Sequence, residues 1–268
     1  MTIQALYSAA TGMTAMETKL DVISNNLANL ETTAYKKDRA NFEDLFYRHE
    51  KLPGVQDSAG QYTPMGIAIG LGVRSQSIET DFAQGTFKQT GNKLDVAIDG
   101  PGFLQVINPS DNSTLYCRAG NLAKTANGQL VIGSASTGRL LEPPIQIPQD
   151  ATDIMINSDG QVSVQQPGNN QLQIVGQIQL ATFINPQGLV KKGENLYQES
   201  DGSGPPTTNN PGTNGVGTLQ QNMLEASNVE PANELIDMIT TQRAYELNSK
   251  AIQTGDELMQ LVANLKRS

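Results

Sequence analysis

The chain contains few side chains that could do chemistry, and those few lack the neighbours that chemistry requires. There is one histidine, His49, which lies in a charged stretch, and one cysteine, Cys117. A nucleophilic hydroxyl or thiol needs a base beside it, and a reactive thiol needs a basic or electropositive setting. Neither setting can be read around these two residues, so we expect a solvated histidine and a non-catalytic cysteine.

Motifs for metal or phosphate binding do not stand out either. The spacing of Cys, His and carboxylate residues matches neither a zinc site nor a calcium loop, and the glycines at 66, 70 and 72 do not match a phosphate-binding loop. A net charge of -9 gives no electrostatic support for binding nucleic acid. The sequence predicts no catalytic, cofactor-binding or metal-binding residue, and it favours a structural or interaction protein over an enzyme.

Strong association surfaces are found at the two chain ends instead. Near the N-terminus, apolar residues recur at alternating steps of three and four at Leu6, Ala9, Met13, Met16, Leu20, Ile23, Leu27 and Leu30. This alternation is typical of a coiled-coil helix and predicts a helix that ends near Leu30. An isolated helix is marginally stable in water, so this one needs a partner helix.

The C-terminal stretch predicts a second helix with a wider apolar face, beginning at Pro231. One row of this face contains Ala244, Leu247, Ala251, Thr254, Leu258, Leu261 and Leu265, and a second row contains Met238, Tyr245, Ile252, Met259 and Val262. One row can pair with the N-terminal helix and leave the other for another partner. An ordinary pair of core helices within one domain would explain the periodicity equally well.

Between the two ends the sequence has the features of an antiparallel β-domain. Short alternating strands are separated by turn residues every eight to twelve positions or so, which is typical of a sandwich or barrel. Residues 94–98 and 103–107 are expected to pair across the turn at 99–102. Before this region, residues 51–72 are rich in glycine and proline and indicate a long loop or β-excursion.

The predicted fold class is therefore α+β, with a terminal helical coiled-coil domain built from both chain ends and an inserted antiparallel all-β domain. We place the helical domain at 1–35 plus 225–268, a connector at 36–72 and the β-domain at 73–224. The N-terminus lacks the basic start and apolar core of a cleaved signal peptide, and no apolar run is long enough to span a bilayer.

Several motifs, in order along nearly the whole chain, resemble the flagellar axial-protein family of rod and hook subunits. They are LYSAATGM (6–13), SNNLAN (24–29), GNKLDVAIDGPGF (91–103), RAG (118–120), NPQGL (185–189), LEASNV (224–229) and QRAYE (242–246). The chain departs from the family pattern at Ala34, where glycine is common, at Leu104, where phenylalanine is common, and at Cys117, where threonine is common. Ala34 matters most, because a residue with a Cβ cannot freely take a positive φ.

The resemblance implies a structural subunit of the distal rod of the flagellar basal body, which polymerises into a rigid helical tube that transmits torque. It implies export through the flagellar type III apparatus without a cleaved signal peptide. The implied partners are further copies of the chain, proximal rod proteins, the hook protein, and the peptidoglycan-associated and outer-membrane ring proteins. Neither nucleic-acid binding nor membrane insertion is expected.

On this reading, apolar residues of both terminal helices form the polymerisation interface. They are Leu6, Met13, Met16, Leu20, Ile23, Leu27, Leu30, Met238, Tyr245, Leu247, Ile252, Leu258, Leu261 and Leu265. The stretch from Tyr47 to Gly72 would lie between subunits and stiffen the shaft.

Two other readings stay open from the sequence. One is a different axial protein, either the hook protein, which usually carries an additional outer domain, or a proximal rod subunit. The other comes from a different class: a glycan-binding or glycan-hydrolysing β-domain whose terminal helices form a dimer. The second reading lacks a carboxylate pair or an aromatic platform that the sequence singles out.

Overall fold

The structure is a computed structural model that describes residues 2–54, 65–109, 111–133 and 138–265. It forms two compact units, one of Met1–Ala28, Asp38–Thr80 and Glu230–Ser268, and one of Asn29–Lys37 and Asp81–Val229. The predicted fold class is confirmed, because the two terminal helices pack on each other and the β-rich region is inserted between them. The domain boundaries given above stay a prediction, and the helical unit also includes residues 73–80.

The first unit is built on two long helices, α1 (Thr2–Ala28) and α2 (Pro231–Leu265). Leu6 lies against Gly255 and Gly12 lies against Asn248, while Asn26 is hydrogen-bonded to Glu234. Because residue numbers fall along one helix as they rise along the other, the helices are antiparallel. At 1.5 Å per residue α1 is about 40 Å long and α2 about 52 Å long. In the described part of the chain, neither helix combines the length and apolarity needed to cross a membrane.

Two antiparallel ribbons complete the helical unit. Strand β1 (Asp38–Asp44) pairs with β4 (Val73–Thr80), and β2 (Tyr47–Lys51) pairs with β3 (Ile67–Gly70). A bulge between Asn41 and Phe42 shifts the register of the first ribbon. The predicted excursion at 51–72 is thus partly a β-ribbon, and its central part, residues 55–64, lies outside the described residues.

The second unit contains the remaining strands and one short 3-10 helix at Pro186–Gly188. The strands are β5 (Phe87–Gln89), β6 (Val96–Asp99), β7 (Phe103–Ile107), β8 (Thr114–Cys117), β9 (Leu122–Lys124), β10 (Leu130–Ile132), β11 (Arg139–Glu142), β12 (Asp153–Ile156), β13 (Gln161–Gln166), β14 (Asn169–Gln177), β15 (Leu180–Thr182), β16 (Val190–Gly193), β17 (Leu196–Gln198), β18 (Thr207–Asn209), β19 (Thr218–Gln221) and β20 (Met223–Glu225).

All pairings in this unit are antiparallel. The largest sheet runs in the order β16-β17-β8-β7-β11-β10-β9, with β15 joining β7 to β18. A second sheet runs β12-β13-β14, and two further pairs are β19-β6 and β20-β5. Aliphatic side chains from these sheets share one core around Ile98, Leu104 and Leu141. A second core is aromatic and contains Phe103, Tyr116 and Tyr197, with Phe82 and Phe183 packed against it.

The expected hairpin between residues 94–98 and 103–107 is wrong. Strand β6 pairs with β19, whereas β7 pairs with β8, β11 and β15. The cause is a sharp bend at Gly100 and Gly102, which both have positive φ. The guanidinium of Arg118 donates hydrogen bonds to the carbonyls of both glycines. These carbonyls are therefore satisfied by a side chain instead of a hairpin ladder.

Candidate assembly surface

One face of α2 is covered by α1, and small residues allow the two helices to approach closely. A Cβ added at Gly12 would lie 2.9 Å from Asn248 Nδ2, and one added at Gly255 would lie 2.5 Å from Leu6 Cδ2. Glycine inside a helix costs about 1 kcal/mol relative to alanine. That cost is offset only where a side chain would obstruct packing, and both positions meet this condition.

The opposite face of α2 presents apolar side chains that nothing in the described residues covers. We call this set, Ile236, Ile239, Leu247, Leu258 and Leu261, the outer stripe. Leu247 is 66 % exposed and Leu261 is 60 % exposed. At 100° per residue the set falls within one third of the helix circumference. Among the described residues of α1, Tyr7 is the only exposed large apolar side chain, so of the two helices α2 presents the larger exposed apolar surface.

The predicted interface residues divide into two groups. Ile23 is buried, and the side chains that are half-buried are Leu6, Met13, Met16, Leu20, Leu27, Leu30, Met238 and Ile252. The exposed ones are Tyr245, Leu247, Leu258, Leu261 and Leu265. Leu30 lies in the turn after α1, two residues beyond its end. The row that includes Leu247 is therefore the exposed one, whereas Met238 and Ile252 of the other row are partly covered.

Asn26 holds the end of α1 in place. Its side-chain amide donates to the Asp38 carbonyl at 2.9 Å and to a Glu234 carboxylate oxygen at 3.3 Å. Its side-chain oxygen accepts the backbone N–H of Asp38 at 2.9 Å. The asparagine is buried and joins the first ribbon and the first turn of α2 to α1. Asparagine favours caps and turns over helix interiors, yet Asn25 and Asn26 both lie inside the helix.

A buried ionic cluster of Lys36, Arg118 and Glu225 holds the second unit together. Lys36 Nζ lies 2.6 Å from one carboxylate oxygen of Glu225, and Arg118 Nε lies 2.8 Å from the other. The Lys36 and Glu225 side chains are completely buried. Lys36 also donates to the Ala83 carbonyl at 2.8 Å, and the N–H of Gly85 donates to Glu225 at 2.9 Å. Nearly every polar atom of the cluster has a partner, as burial of charge requires.

The charge balance of this cluster sets the direction of its pKa shifts. Burial alone would raise the pKa of the Glu225 carboxyl, but the adjacent Arg118 and Lys36 cations together hold that pKa below its usual value. Burial lowers the pKa of Lys36, and the second cation, Arg118, acts in the same direction against Glu225. One carboxylate between two cations leaves one uncompensated positive charge, and Lys36 is the cation that can lose its proton.

Asn228 and Ala34 order the chain segments next to this cluster. The Asn228 side chain accepts the Lys37 N–H at 2.8 Å and donates to the carbonyl of Asp81 at 2.8 Å. The Ala34 N–H donates to the backbone carbonyl of Glu225. Ala34 has a φ of 54°, which is the left-handed conformation. Glycine is common at this position in the family, and a residue with a Cβ adopts this conformation less readily. The turn therefore keeps its positive φ and carries the steric cost.

These positioning residues are the functional residues that sequence reasoning missed. Arg118 and the stretches containing Asn26, Glu225 and Asn228 were singled out only as parts of family-like motifs. A physical signal was present at Glu225, because it is the one charged side chain in the stretch 223–229. Its two partners lie 189 and 107 positions away, and no local pattern identifies partners at such separations.

The candidate chemical residues have ordinary surroundings. His49 is exposed on β2. Cys117 is buried, its Sγ donates to the Ala119 carbonyl, and burial raises the pKa of its thiol to about 12. Within the described residues, no group of three His, Cys, Asp or Glu side chains could hold a metal ion.

Three family models match consecutive parts of the chain. The model described as "Flagella basal body rod protein" matches residues 6–36, "Flagellar hook protein FlgE/F/G D1 domain" matches 97–164, and "Flagellar basal body rod FlgEFG protein C-terminal" matches 220–265. The first of these includes most of α1, the last includes all of α2, and the middle one lies within the β-rich unit.

Curated relatives match the chain from end to end. The chain is 45 % identical to the flagellar basal-body rod protein FlgG of Agrobacterium fabrum over 98 % of its length, which covers 100 % of that protein. It is 44 % identical to FlgG of Buchnera aphidicola subsp. Schizaphis graminum (98 % and 100 %) and 40 % identical to FlgG of Bacillus subtilis (99 % and 100 %). The chain belongs to the flagellar basal-body rod protein family.

Proposed function

We propose that copies of this chain assemble into a helical shaft through the outer stripe of α2. As a member of its family, the chain is a structural subunit of the distal rod and is located in the flagellar basal body. The observation that carries the proposal is the outer stripe, a set of exposed apolar side chains on the face of α2 opposite α1. Monomeric proteins rarely expose such a surface unless it binds something.

A comparison of the free energy gained by burying the stripe with the free-energy cost of association favours a polymer over an isolated dimer. Full burial of a leucine or isoleucine side chain contributes about 1.5–3 kcal/mol, and the stripe side chains are already partly covered, so each gains about 1 kcal/mol. Association costs at least about 4 kcal/mol and often far more. The five-residue stripe alone therefore gives a weak contact. Contacts with several neighbours at once would make the assembly stable.

The motif QRAYE at 242–246 supports contacts outside the subunit. Gln242, Arg243, Tyr245 and Glu246 are all exposed on α2, so packing within the subunit does not explain them. Their surface differs from any surface on α1. A contact between two different patches generates a ring if the rotation between copies closes and an open helical filament if it does not.

The specific partners belong to the same proposal. Proximal rod proteins would bind one end of the shaft and the hook protein the other, and the peptidoglycan-associated and outer-membrane ring proteins would surround it. The chain would cross the periplasm after export by the flagellar type III apparatus. We also propose that it has no enzymatic activity, because Cys117 is buried with a raised pKa and His49 lies alone on an exposed strand.

The β2-β3 ribbon is proposed to lock neighbouring subunits and to stiffen the shaft. Around this ribbon Phe46, Tyr47, Leu52, Met65 and Ile67 are exposed, although two-stranded ribbons are marginally stable alone. Neighbours in the shaft would cover these side chains. Deletion of Lys51–Met65 should give a rod that bends, as seen by electron microscopy of isolated basal bodies. A straight rod with the same persistence length would contradict this role.

The experiment that tests the proposal adds charge to the outer stripe. Leu258→Lys with Leu261→Lys should prevent rod formation and abolish motility, because two ammonium groups would have to be desolvated in the contact. The control variant is Gln253→Lys, which adds one charge to another exposed part of α2 and should leave rods intact. Lys250 is unchanged in this variant. Circular dichroism checks that the unassembled variants have the same spectrum as the unassembled natural chain. Normal rods from the double variant would overturn the proposal.

A further inference from the structure

Five times along the chain, an Asn or Asp residue is followed directly by glycine. In such a pair the backbone nitrogen of the glycine can attack the side-chain carbonyl carbon of the preceding residue, because glycine has no side chain to obstruct the approach. An asparagine then loses ammonia and forms a five-membered succinimide ring. All five pairs lie in the described part of the chain, at Asp99-Gly100, Asn127-Gly128, Asp159-Gly160, Asp201-Gly202 and Asn214-Gly215.

Hydrogen bonds protect the glycine nitrogen in four of the five pairs. This nitrogen gives up its hydrogen when the ring closes, so an N–H that donates to an acceptor must first lose that bond, at a free-energy cost. The protected donors and their acceptors are Gly100 to Gln84 Oε1 at 3.0 Å, Gly128 to the Thr125 carbonyl at 2.9 Å, Gly160 to the Asn157 carbonyl at 3.0 Å and Gly202 to Ser200 Oγ at 3.1 Å. We therefore expect these four pairs to react slowly.

The fifth pair, Asn214-Gly215, lies at the tip of an exposed turn. Asn214 has a φ of 52° and Gly215 a φ of 77°, and the Val216 N–H donates to the Thr213 carbonyl at 2.9 Å. Two central residues with positive φ are typical of a type I′ turn, for which Asn-Gly is a preferred pair. Within the described residues no atom accepts the Gly215 N–H, and a Cβ added there would meet nothing within 4 Å. Water and hydroxide therefore have access to this nitrogen.

Asn127-Gly128 is the informative comparison, because it contains the same two residues in a different setting. Both asparagines are exposed, but Gly128 is buried whereas Gly215 is exposed. Besides donating its own N–H, Gly128 accepts the Ile147 N–H at 2.7 Å, and a Cβ added at Gly128 would lie 2.2 Å from the Ile147 carbonyl oxygen. The two pairs therefore differ in how firmly the glycine is held, and not in the exposure of the asparagine.

We propose that Asn214 is a site of spontaneous deamidation, a modification that goes beyond the proposed function and does not depend on it. Hydroxide removes the proton of the Gly215 N–H, the nitrogen forms a bond to Cγ of Asn214, and the bond from Cγ to Nδ2 breaks. The leaving nitrogen takes a proton from water and departs as ammonia. Before it leaves, this nitrogen gives up one exposed hydrogen bond, to Asn209 Oδ1 at 3.0 Å.

Water then opens the succinimide ring in one of two ways. Addition at the main-chain carbonyl leaves isoaspartate, whose extra methylene lies in the backbone, whereas addition at the side-chain carbonyl leaves aspartate. Each product has a carboxylate in place of the Asn214 amide, so the net charge of -9 becomes one unit more negative. The overall reaction consumes water, releases ammonia and needs no oxidant or reductant.

The test incubates the purified chain at neutral pH and follows positions 127 and 214 by peptide mass spectrometry, while a carboxyl methyltransferase specific for isoaspartate counts that product. Deamidation at Asn214 should be at least about fivefold faster than at Asn127, the factor that corresponds to one hydrogen bond. A smaller ratio, or no product at Asn214, would overturn the inference. Asn214→Gln should remove most of the isoaspartate signal, because a six-membered ring closes more slowly; an unchanged signal would place the reaction elsewhere and also overturn it.

The same measurement in urea separates the effect of the folded structure from that of the local sequence. Unfolding removes the hydrogen bonds of Gly128, so both asparagines should then react at similar rates. A ratio in urea as large as that in the folded chain would show that the neighbouring residues set the rates, and would overturn the inference. Because unassembled chain is used, the result does not depend on whether the outer stripe forms the contact between copies.

Discussion

At the scale of single residues, Glu225 is the side chain on which the second unit most depends. Its carboxylate lies between two buried cations, Lys36 and Arg118, and accepts a hydrogen bond from the N–H of Gly85. Removing one member of a buried ionic network typically costs about 3–5 kcal/mol, because the remaining charges lose their partner. We expect Glu225→Gln to lower the free energy of unfolding by about this amount in a urea titration.

The control for this prediction is an exposed ion pair in the same chain. Arg48 and Glu50 form such a pair on β2, at 2.6 Å. Exposed pairs contribute about 1 kcal/mol at most, so Glu50→Gln should change the free energy of unfolding by less than about 0.5 kcal/mol. Equal costs for the two substitutions would contradict the account of the buried cluster.

The same residue predicts how stability depends on pH. The pKa of Glu225 is lower in the folded chain than its ordinary value. In acid the unfolded chain therefore takes up this proton before the folded chain does, so stability falls as pH falls below the ordinary glutamate pKa. Unfolding free energies measured from about pH 6 to about pH 3 should fall less steeply in Glu225→Gln than in the natural chain. Parallel pH profiles would show that Glu225 does not contribute.

The left-handed conformation of Ala34 predicts different effects on stability for two substitutions at this position. Its φ of 54° costs about 1–2 kcal/mol for a residue with a Cβ, and a branched side chain raises that cost further. Ala34→Gly should be neutral or stabilising by about 1 kcal/mol, because the relief of strain exceeds the added entropy of the unfolded chain. Ala34→Val should lower the thermal midpoint clearly. A valine variant as stable as the glycine variant would contradict the left-handed conformation.

At the scale of elements, the contact between α1 and the first ribbon depends on Gly72. A Cβ at this position would lie 2.2 Å from Thr11 Oγ1 and 3.4 Å from Ser8 Cα, and φ is +120°. Gly54 has a φ of +81° with nothing within 4 Å, so it controls for backbone strain alone. Gly54→Ala should cost about 1 kcal/mol, and Gly72→Ala about 3 kcal/mol, because overpacking is added. Similar values from urea titrations would contradict the packing.

Element types were largely predictable from sequence, and the reasons are local. Apolar residues three and four apart identified both helices, Pro231 marked the start of α2, and the Asp159-Gly160 and Pro167-Gly168 turns marked the hairpins of β12, β13 and β14. Strand partners were less predictable. The pairing of β6 with β19 joins residues more than a hundred positions apart, and the Asp99-Gly100 signal favours a hairpin that Arg118 prevents.

The candidate surface was predictable in composition but not in orientation. Two apolar rows on α2 could be read from the sequence, but their spacing does not decide which row packs on α1. Gly12, Asn248 and Gly255 lie where the helices approach closely, and Leu6 of α1 packs on Gly255. On α2 the contact therefore includes small and polar residues, and the leucines of this helix stay exposed.

At the scale of the whole molecule, the β-rich unit and the helical unit differ in how much of their surface is buried. The β-rich unit contains the buried cluster around Glu225 and a core of aliphatic and aromatic side chains. The helical unit has less buried apolar surface, and α2 contains two buried residues in the described structure, Glu234 and Thr241. Helices with so little burial open easily. We therefore expect folding of α2 to be coupled to assembly.

The measurement that tests this claim most directly is hydrogen exchange of α2, compared between dilute monomer and isolated rods. We expect rapid exchange along most of α2 in the monomer and protection factors that are about a hundredfold or more greater in rods. Strands β7 and β8 should be protected in both states. Burial of the outer stripe by neighbouring copies is the cause of the difference. Equal protection of α2 in the two states would show that assembly does not cover this helix, and would contradict the central claim.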